Sequence, residues 1–118
     1  MYSSFSTDGV NFTKDDGTVL KPRSSAHYVE DPTVFQLPNK SWRMYFNENT
    51  VAAGNNRDGE IWGASSSDGL TWTKIRDVGI HGADVDGYFQ KDGTIRVYYG
   101  DFDPATGGKV YMGVLKTQ

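Results

Sequence analysis

The feature that most constrains this chain is that it repeats itself. Ser6-Thr7-Asp8-Gly9-Val10-Asn11-Phe12-Thr13-Lys14 returns as Ser66-Ser67-Asp68-Gly69-Leu70-Thr71-Trp72-Thr73-Lys74, 60 residues later. His27, Glu30, Phe35 and Gln36 return as His81, Asp84, Phe89 and Gln90, at an offset of 54. Arg43-Met44-Tyr45-Phe46-Asn47-Glu48 returns as Arg96-Val97-Tyr98-Tyr99-Gly100-Asp101, at 53, and Gly63-Ala64 as Gly113-Val114, at 50. The drift in offset places the length changes in turns, where they are tolerated. A chain built this way folds as successive copies of one supersecondary unit.

The unit is made of strands. In Trp42-Arg43-Met44-Tyr45-Phe46, Trp42, Met44 and Phe46 share one face, and Ile95, Val97 and Tyr99 do the same in the second copy. No window keeps a 3.6-residue period, so no helix of consequence is expected. Asp8-Gly9, Asp16-Gly17, Pro38-Asn39, Asp58-Gly59, Asp68-Gly69, Asp92-Gly93 and Gly107-Gly108 punctuate the chain as turns. The 14 glycines and 14% aromatic residues fit short strands and tight turns. Strands are expected near 33–37, 41–47, 60–66 and 72–75, then near 85–90, 94–100 and 109–115. Two more are expected near 2–6 and 11–14. The expected fold is all-β: four-stranded antiparallel β-propeller blades, about two in 118 residues. The chain then forms a single partial propeller, with blade-completing strands in 1–20, a blade in 21–76 and an incomplete blade in 77–118.

Composition excludes several classes of function. A net charge of −3 argues against a nucleic-acid partner. No apolar run approaches the ~20 residues of a membrane helix, so no membrane partner is expected. The opening Met1-Tyr2-Ser3-Ser4-Phe5 turns polar at once and carries no secretory pattern. Cysteine is absent, which excludes disulfides and thiolate metal sites and leaves the compartment open.

Asp31-Pro32-Thr33-Val34-Phe35, Trp42-Arg43-Met44-Tyr45-Phe46 and Gly59-Glu60-Ile61-Trp62-Gly63-Ala64-Ser65-Ser66-Ser67-Asp68-Gly69-Leu70-Thr71-Trp72 together resemble the five-bladed propeller glycosidases. Those are the arabinanases, β-xylosidases, invertases and levansucrases. The Ser-x-Asp-Gly-x-x-Trp turn also resembles the Asp-box of sialidases, with one residue between Asp and Gly missing. The resemblance implies a catalytic carboxylate at the Asp-Pro, here Asp31, facing a central channel. It also implies a base, an orienting aspartate and a general acid spread over several blades, more than a chain of this length holds.

The candidate site residues lie near the starts and ends of the expected inner strands. Pro32 restricts Asp31 to an extended backbone, which would fix the direction of its carboxylate. Asp84 and Asp86, two apart on a strand, would share a face, and Glu30 aligns with Asp84. Crowded carboxylates raise one another's pKa, which makes a general acid. Asp31, Asp84 and Asp86 are therefore the catalytic candidates, each against a role as a turn cap or sugar hydrogen-bond acceptor. His27 and His81 occupy matching places. With Glu30, Asp31, Asp84 and Asp86 they suit a sugar hydroxyl or a divalent cation such as calcium. Glu48 and Asp101 match at the end of the following strand and complete the ligand candidates, against a role as solvated turn acids. The turn residues Asp8, Gly9, Asp68 and Gly69 read as structural, with Phe12 and Trp72 packing between layers.

Two blades leave open faces, so association with further copies of itself is the expected partner arrangement, a trimer of six blades ahead of a dimer of four. Three functions fit: a glycan-binding or vestigial glycosidase-like module, a glycoside hydrolase drawing carboxylates from several subunits, and a bare scaffold.

Overall fold

The computed structural model describes residues 1–51, 59–103, 105 and 107–116. Nine strands run in chain order: β1 (Ser4–Phe5), β2 (Thr13–Lys14), β3 (His27–Gln36), β4 (Trp42–Thr50), β5 (Glu60–Ser66), β6 (Thr73–His81), β7 (Ala83–Phe89), β8 (Thr94–Asp103) and β9 (Gly107–Lys116). No α-helix occurs among the described residues. β1 and β2 form a hairpin, β3-β4-β5-β6 a four-stranded sheet and β7-β8-β9 a three-stranded sheet, all antiparallel.

The alternation in β4 builds two cores on opposite faces of the four-stranded sheet. Tyr45 and Ile61 point toward the three-stranded sheet and pack with Leu37, Val85, Ile95 and Val97. Met44, Phe46 and Ala64 point the other way and pack with Leu20 and the half-buried Met1, Val19 and Trp72. The N-terminal segment is tied down there, its ammonium group bonding the Leu20 carbonyl at 3.0 Å. The molecule is therefore layered, with the N-terminal segment, the four-stranded sheet and the three-stranded sheet stacked in that order. The outer face of the last layer, with Tyr88, Tyr98, Met112 and Val114, is exposed.

The two turns with the same sequence also share their hydrogen bonds. Asp8 Oδ1 accepts from Val10 N at 2.9 Å and Asn11 N at 2.8 Å. Asp68 Oδ1 accepts from Leu70 N at 2.8 Å and Thr71 N at 2.7 Å. Ser6 and Ser66 close the two turns onto Gly9 N and Gly69 N. Trp72 packs against the core as expected, whereas Phe12 is exposed.

Strand pairing corrects the repeat alignment. Phe35 pairs with Arg43 and Tyr88 with Arg96, so Phe35 corresponds to Tyr88 and not to Phe89. Tyr45 pairs with Gly63 and Tyr98 with Met112, so Gly63 corresponds to Met112 rather than Gly113. Side-chain likeness had slipped each match by one residue, and in a strand one residue reverses the face.

Candidate functional site

β3 and β7 are the first strands of their sheets and lie against each other, as the bond from Thr33 Oγ1 to Asp86 Oδ1 at 2.9 Å shows. Each carries a bulge at the same place. Pairing with β4 breaks between Glu30 and Thr33, and pairing with β8 breaks between Ala83 and Asp86. Each bulge holds an aspartate in left-handed backbone, Asp31 at φ 48° and Asp84 at φ 54°. Asp is among the few non-glycine residues that enter this region, because its short side chain bonds locally. The bulge also absorbs Pro32, which has no N–H to give to a ladder. The extended backbone expected at Asp31 is thus not what forms. The true counterpart of Asp84 is Asp31, not Glu30.

The bulges bring the Asp31 and Asp84 carboxyls into hydrogen-bond contact. Partial burial pushes Asp31 above the usual carboxylate range, and the neighbouring Asp84 charge adds to the rise. Glu30 is also raised, first by burial and then by Asp31, against a bond from Asn49 Nδ2 that holds it down. Three acids converge here from two sheets, and two of them hold protons more tightly than free carboxyls do.

The floor of the cluster is made by residues that the motif reading missed. Asn47 and Asn49 are buried in β4; Asn47 donates to the Gly82 carbonyl, and Asn49 bonds Glu30. Asn49 Oδ1 is buried without a partner. Gly59 fits beneath because a methyl group there would strike Asn49 Oδ1 and the Gly82 carbonyl. The signal was present as Asn47-Glu48-Asn49, a polar run inside an otherwise apolar strand. Such a run is costly to bury unless its groups find partners, and here Asn47, Glu48 and the Asn49 amide nitrogen all do.

The other candidates separate. Asp86 does not work with Asp84 on one face, since the bulge breaks the alternation. Its carboxylate is occupied by Thr33 Oγ1 and its own neighbour Gly87 N, at 2.9 and 2.8 Å. Asp101 lies with Asp84, Gly100 and Lys109 around an open recess of about 280 Å³. Glu48 is no solvated turn acid, for its side chain is fully buried. It accepts from Lys74 Nζ and from Arg23 N, both at 2.6 Å, so each of its oxygens is engaged inside the protein. His27 starts β3 and bonds Ser24 Oγ through Nδ1 at 2.7 Å, whereas His81 ends β6 opposite Glu60. Their strands differ in position within the sheet, so they are not a matched pair. Among the described residues no group of three or more His, Cys, Asp or Glu is arranged to hold a metal ion, so the expected calcium-type set does not assemble.

No family model matches the chain, and no curated protein does. Among solved structures, the fold is similar to that of Zg3597, a family 117 glycoside hydrolase of the marine bacterium Zobellia galactanivorans. The TM-score is 0.67 at 20% identity, over 85% of this chain and 40% of that one. A protein of unknown function from Dyadobacter fermentans is similar at a TM-score of 0.66 and 16% identity, over 96% of this chain and 29% of that one. The chain thus spans less than half the length of either neighbour. At these identities the likeness is one of fold: an all-β, antiparallel, glycosidase-like fold.

Proposed function

We propose that this chain is a carbohydrate-binding β-propeller module whose sugar site is the junction of Asp31 and Asp84. One observation carries the reading: two aspartates at equivalent bulges of two sheets, each in costly left-handed backbone, meet carboxyl to carboxyl. Backbone strain of this kind persists where the surrounding structure holds it for a use. The two carboxyls turn several acceptor lone pairs outward, which suits the hydroxyl donors of a neutral sugar. The glycosidase-like fold supports the substrate class. In this reading residues 1–20 supply blade-completing strands, 21–76 a blade and 77–118 an incomplete blade.

Binding is favoured over hydrolysis by spacing. Paired catalytic carboxylates stand ~5–5.5 Å apart in retaining glycosidases and ~6.5–9.5 Å apart in inverting ones. Asp31 and Asp84 are close enough for a hydrogen bond between their carboxyls, nearer than either catalytic spacing, so they act as one unit. The raised carboxyls of Glu30 and Asp31 favour a second reading, a hydrolase whose other carboxylate comes from another subunit.

The proposed assembly is a ring of copies, a trimer ahead of a dimer. The exposed Tyr88, Tyr98, Met112 and Val114 at one end and Phe5, Val10 and Phe12 at the other support it. A contact between unlike faces must close or polymerise.

The test is binding and turnover of arabinan-, xylan- and fructan-type oligosaccharides by wild type and Asp31→Asn. Saturable binding weakened by the variant, without turnover, is the expected result. Turnover abolished by the variant moves the assignment to the hydrolase. Neither binding nor turnover by the wild type overturns both.

A further inference from the structure

A second cleft, away from the aspartates, opens where the four-stranded sheet leans on the end of β9. It has a volume of about 260 Å³ and is lined by Arg43, Tyr45, Gly63, Ser65, Arg76 and Lys116 among others. That is room for an ion and several waters at roughly 30 Å³ each. Arg43 comes from β4, Arg76 from β6 and Lys116 from β9, so three strands of two sheets bring three cations to one place. No acid lines the cleft, and among the described residues none of the three has a carboxylate partner. The chain has a net charge of −3, and elsewhere Arg23 and Lys74 are paired with Glu60 and Glu48.

Arg43 is held in place from behind. Its guanidinium bonds the hydroxyl of the buried Tyr45, and its Nε is buried without a partner. The repeat supplies a control. Arg96 is the counterpart of Arg43 and likewise leans on a tyrosine, Tyr98, with an orphaned Nε. The arginine–tyrosine posture therefore belongs to the repeat unit. What sets the first copy apart is Arg76 from its own β6 and Lys116 from β9 of the adjoining sheet, and Gly63 lines the cleft where the second copy has Met112.

We infer that this cleft is an oxyanion site, taking a sulfate- or phosphate-type group between Arg43, Arg76 and Lys116, with the Ser65 hydroxyl beside them. Guanidinium groups give planar paired donors to such oxygens, and an ammonium adds a point charge. A free ion and an ester on a saccharide share this chemistry. The inference stands apart from the sugar reading, since none of the lining residues belongs to the aspartate junction.

The test is titration of the whole chain with sodium sulfate and sodium phosphate, against sodium chloride at matched ionic strength, by amide chemical shifts. Saturable shifts at residues 43, 63–65, 76 and 115–116 are expected, absent with chloride. Arg76→Gln with Lys116→Gln should weaken binding about tenfold or more, since each lost charge-assisted bond counts for that order. Arg96→Gln should leave it unchanged. Both changed cations are exposed, so the variant keeps the fold, as its unshifted spectrum would confirm. Binding no better than chloride, or binding that survives the double variant, overturns the site. A sulfated monosaccharide compared with its unsulfated parent separates the sources. Tighter binding than free sulfate identifies an ester-bearing sugar, and equal binding identifies the free ion; either outcome supports the site. Neutral-sugar binding at Asp31 and Asp84 is read separately and can fail or hold alone.

Discussion

The four-stranded and three-stranded sheets are two versions of one pattern in two environments. Phe46, in β4, is fully buried, while its counterpart Tyr99 is half-buried. Tyr45 is 3% exposed and its counterpart Tyr98 38%. Glu48 is buried against Lys74 and Arg23, while its counterpart Asp101 faces an open recess. The difference does not come from local propensity, which the repeat holds nearly constant. It comes from cover. The first sheet has a layer on each face and the second on one, so the same strand pattern is a finished core in one place and a half-finished one in the other.

The largest test of that difference is truncation. Phe46→Ala should cost about 3–5 kcal/mol in urea unfolding, as for other buried aromatics. Tyr98→Ala should cost well under half of that in dilute protein, and equal costs would erase the contrast. Next is the buried ion pair. Glu48→Gln leaves Lys74 facing a buried amide and should cost about 2–3 kcal/mol, below the ~3–5 kcal/mol of a fully buried pair because Lys74 is partly exposed. Asp101→Asn should stay within about 0.5 kcal/mol.

The turns give a smaller effect with a defined pH window. Turn amides and Ser66 hold Asp68 down to about 2, from an ordinary 3.8, and Asp8 is lowered as well. A depressed carboxyl stabilises above its unfolded pKa and loses that contribution as pH falls. Thermal stability should therefore decline between about pH 4 and pH 2. Asp68→Ala and Asp8→Ala should each flatten the decline, since each removes a carboxyl whose pKa is depressed by turn amides. The smallest effect has the opposite sign. Asp31 and Glu30 are raised, so their contribution is present below the ordinary carboxylate range and is lost as pH rises through it. Asp31→Asn keeps a residue that accepts left-handed backbone. It should slightly raise the melting temperature at pH 7, and a fall would contradict the crowding of charge.

The strands were legible because alternation in Trp42–Phe46 and Ile95–Tyr99 is strong and the turns repeat. The bulges were not. Glu30 and Asp84 look alike as acids, and no side-chain pattern states that Asp31 and Asp84 have positive φ. That hid which carboxylates meet. The burial of Glu48 was hidden for another reason, since its partner Lys74 lies 26 residues away and comes near only when β5 and β6 are added to the sheet. The slip between Gly63 and Gly113 shows the cost of aligning repeats by identity alone. Glycine marks a position that wants space, and in the second copy that position holds Met112.

The central claim is that the Asp31–Asp84 junction receives a neutral sugar, and amide chemical-shift mapping with arabinan-, xylan- and fructan-type oligosaccharides tests it most directly. The account predicts saturable shifts concentrated at residues 30–33 and 83–86 with one of these sugars, removed by Asp31→Asn together with Asp84→Asn while the rest of the spectrum holds. Shifts centred elsewhere on the molecule, or none with any of the three sugar types, would contradict it.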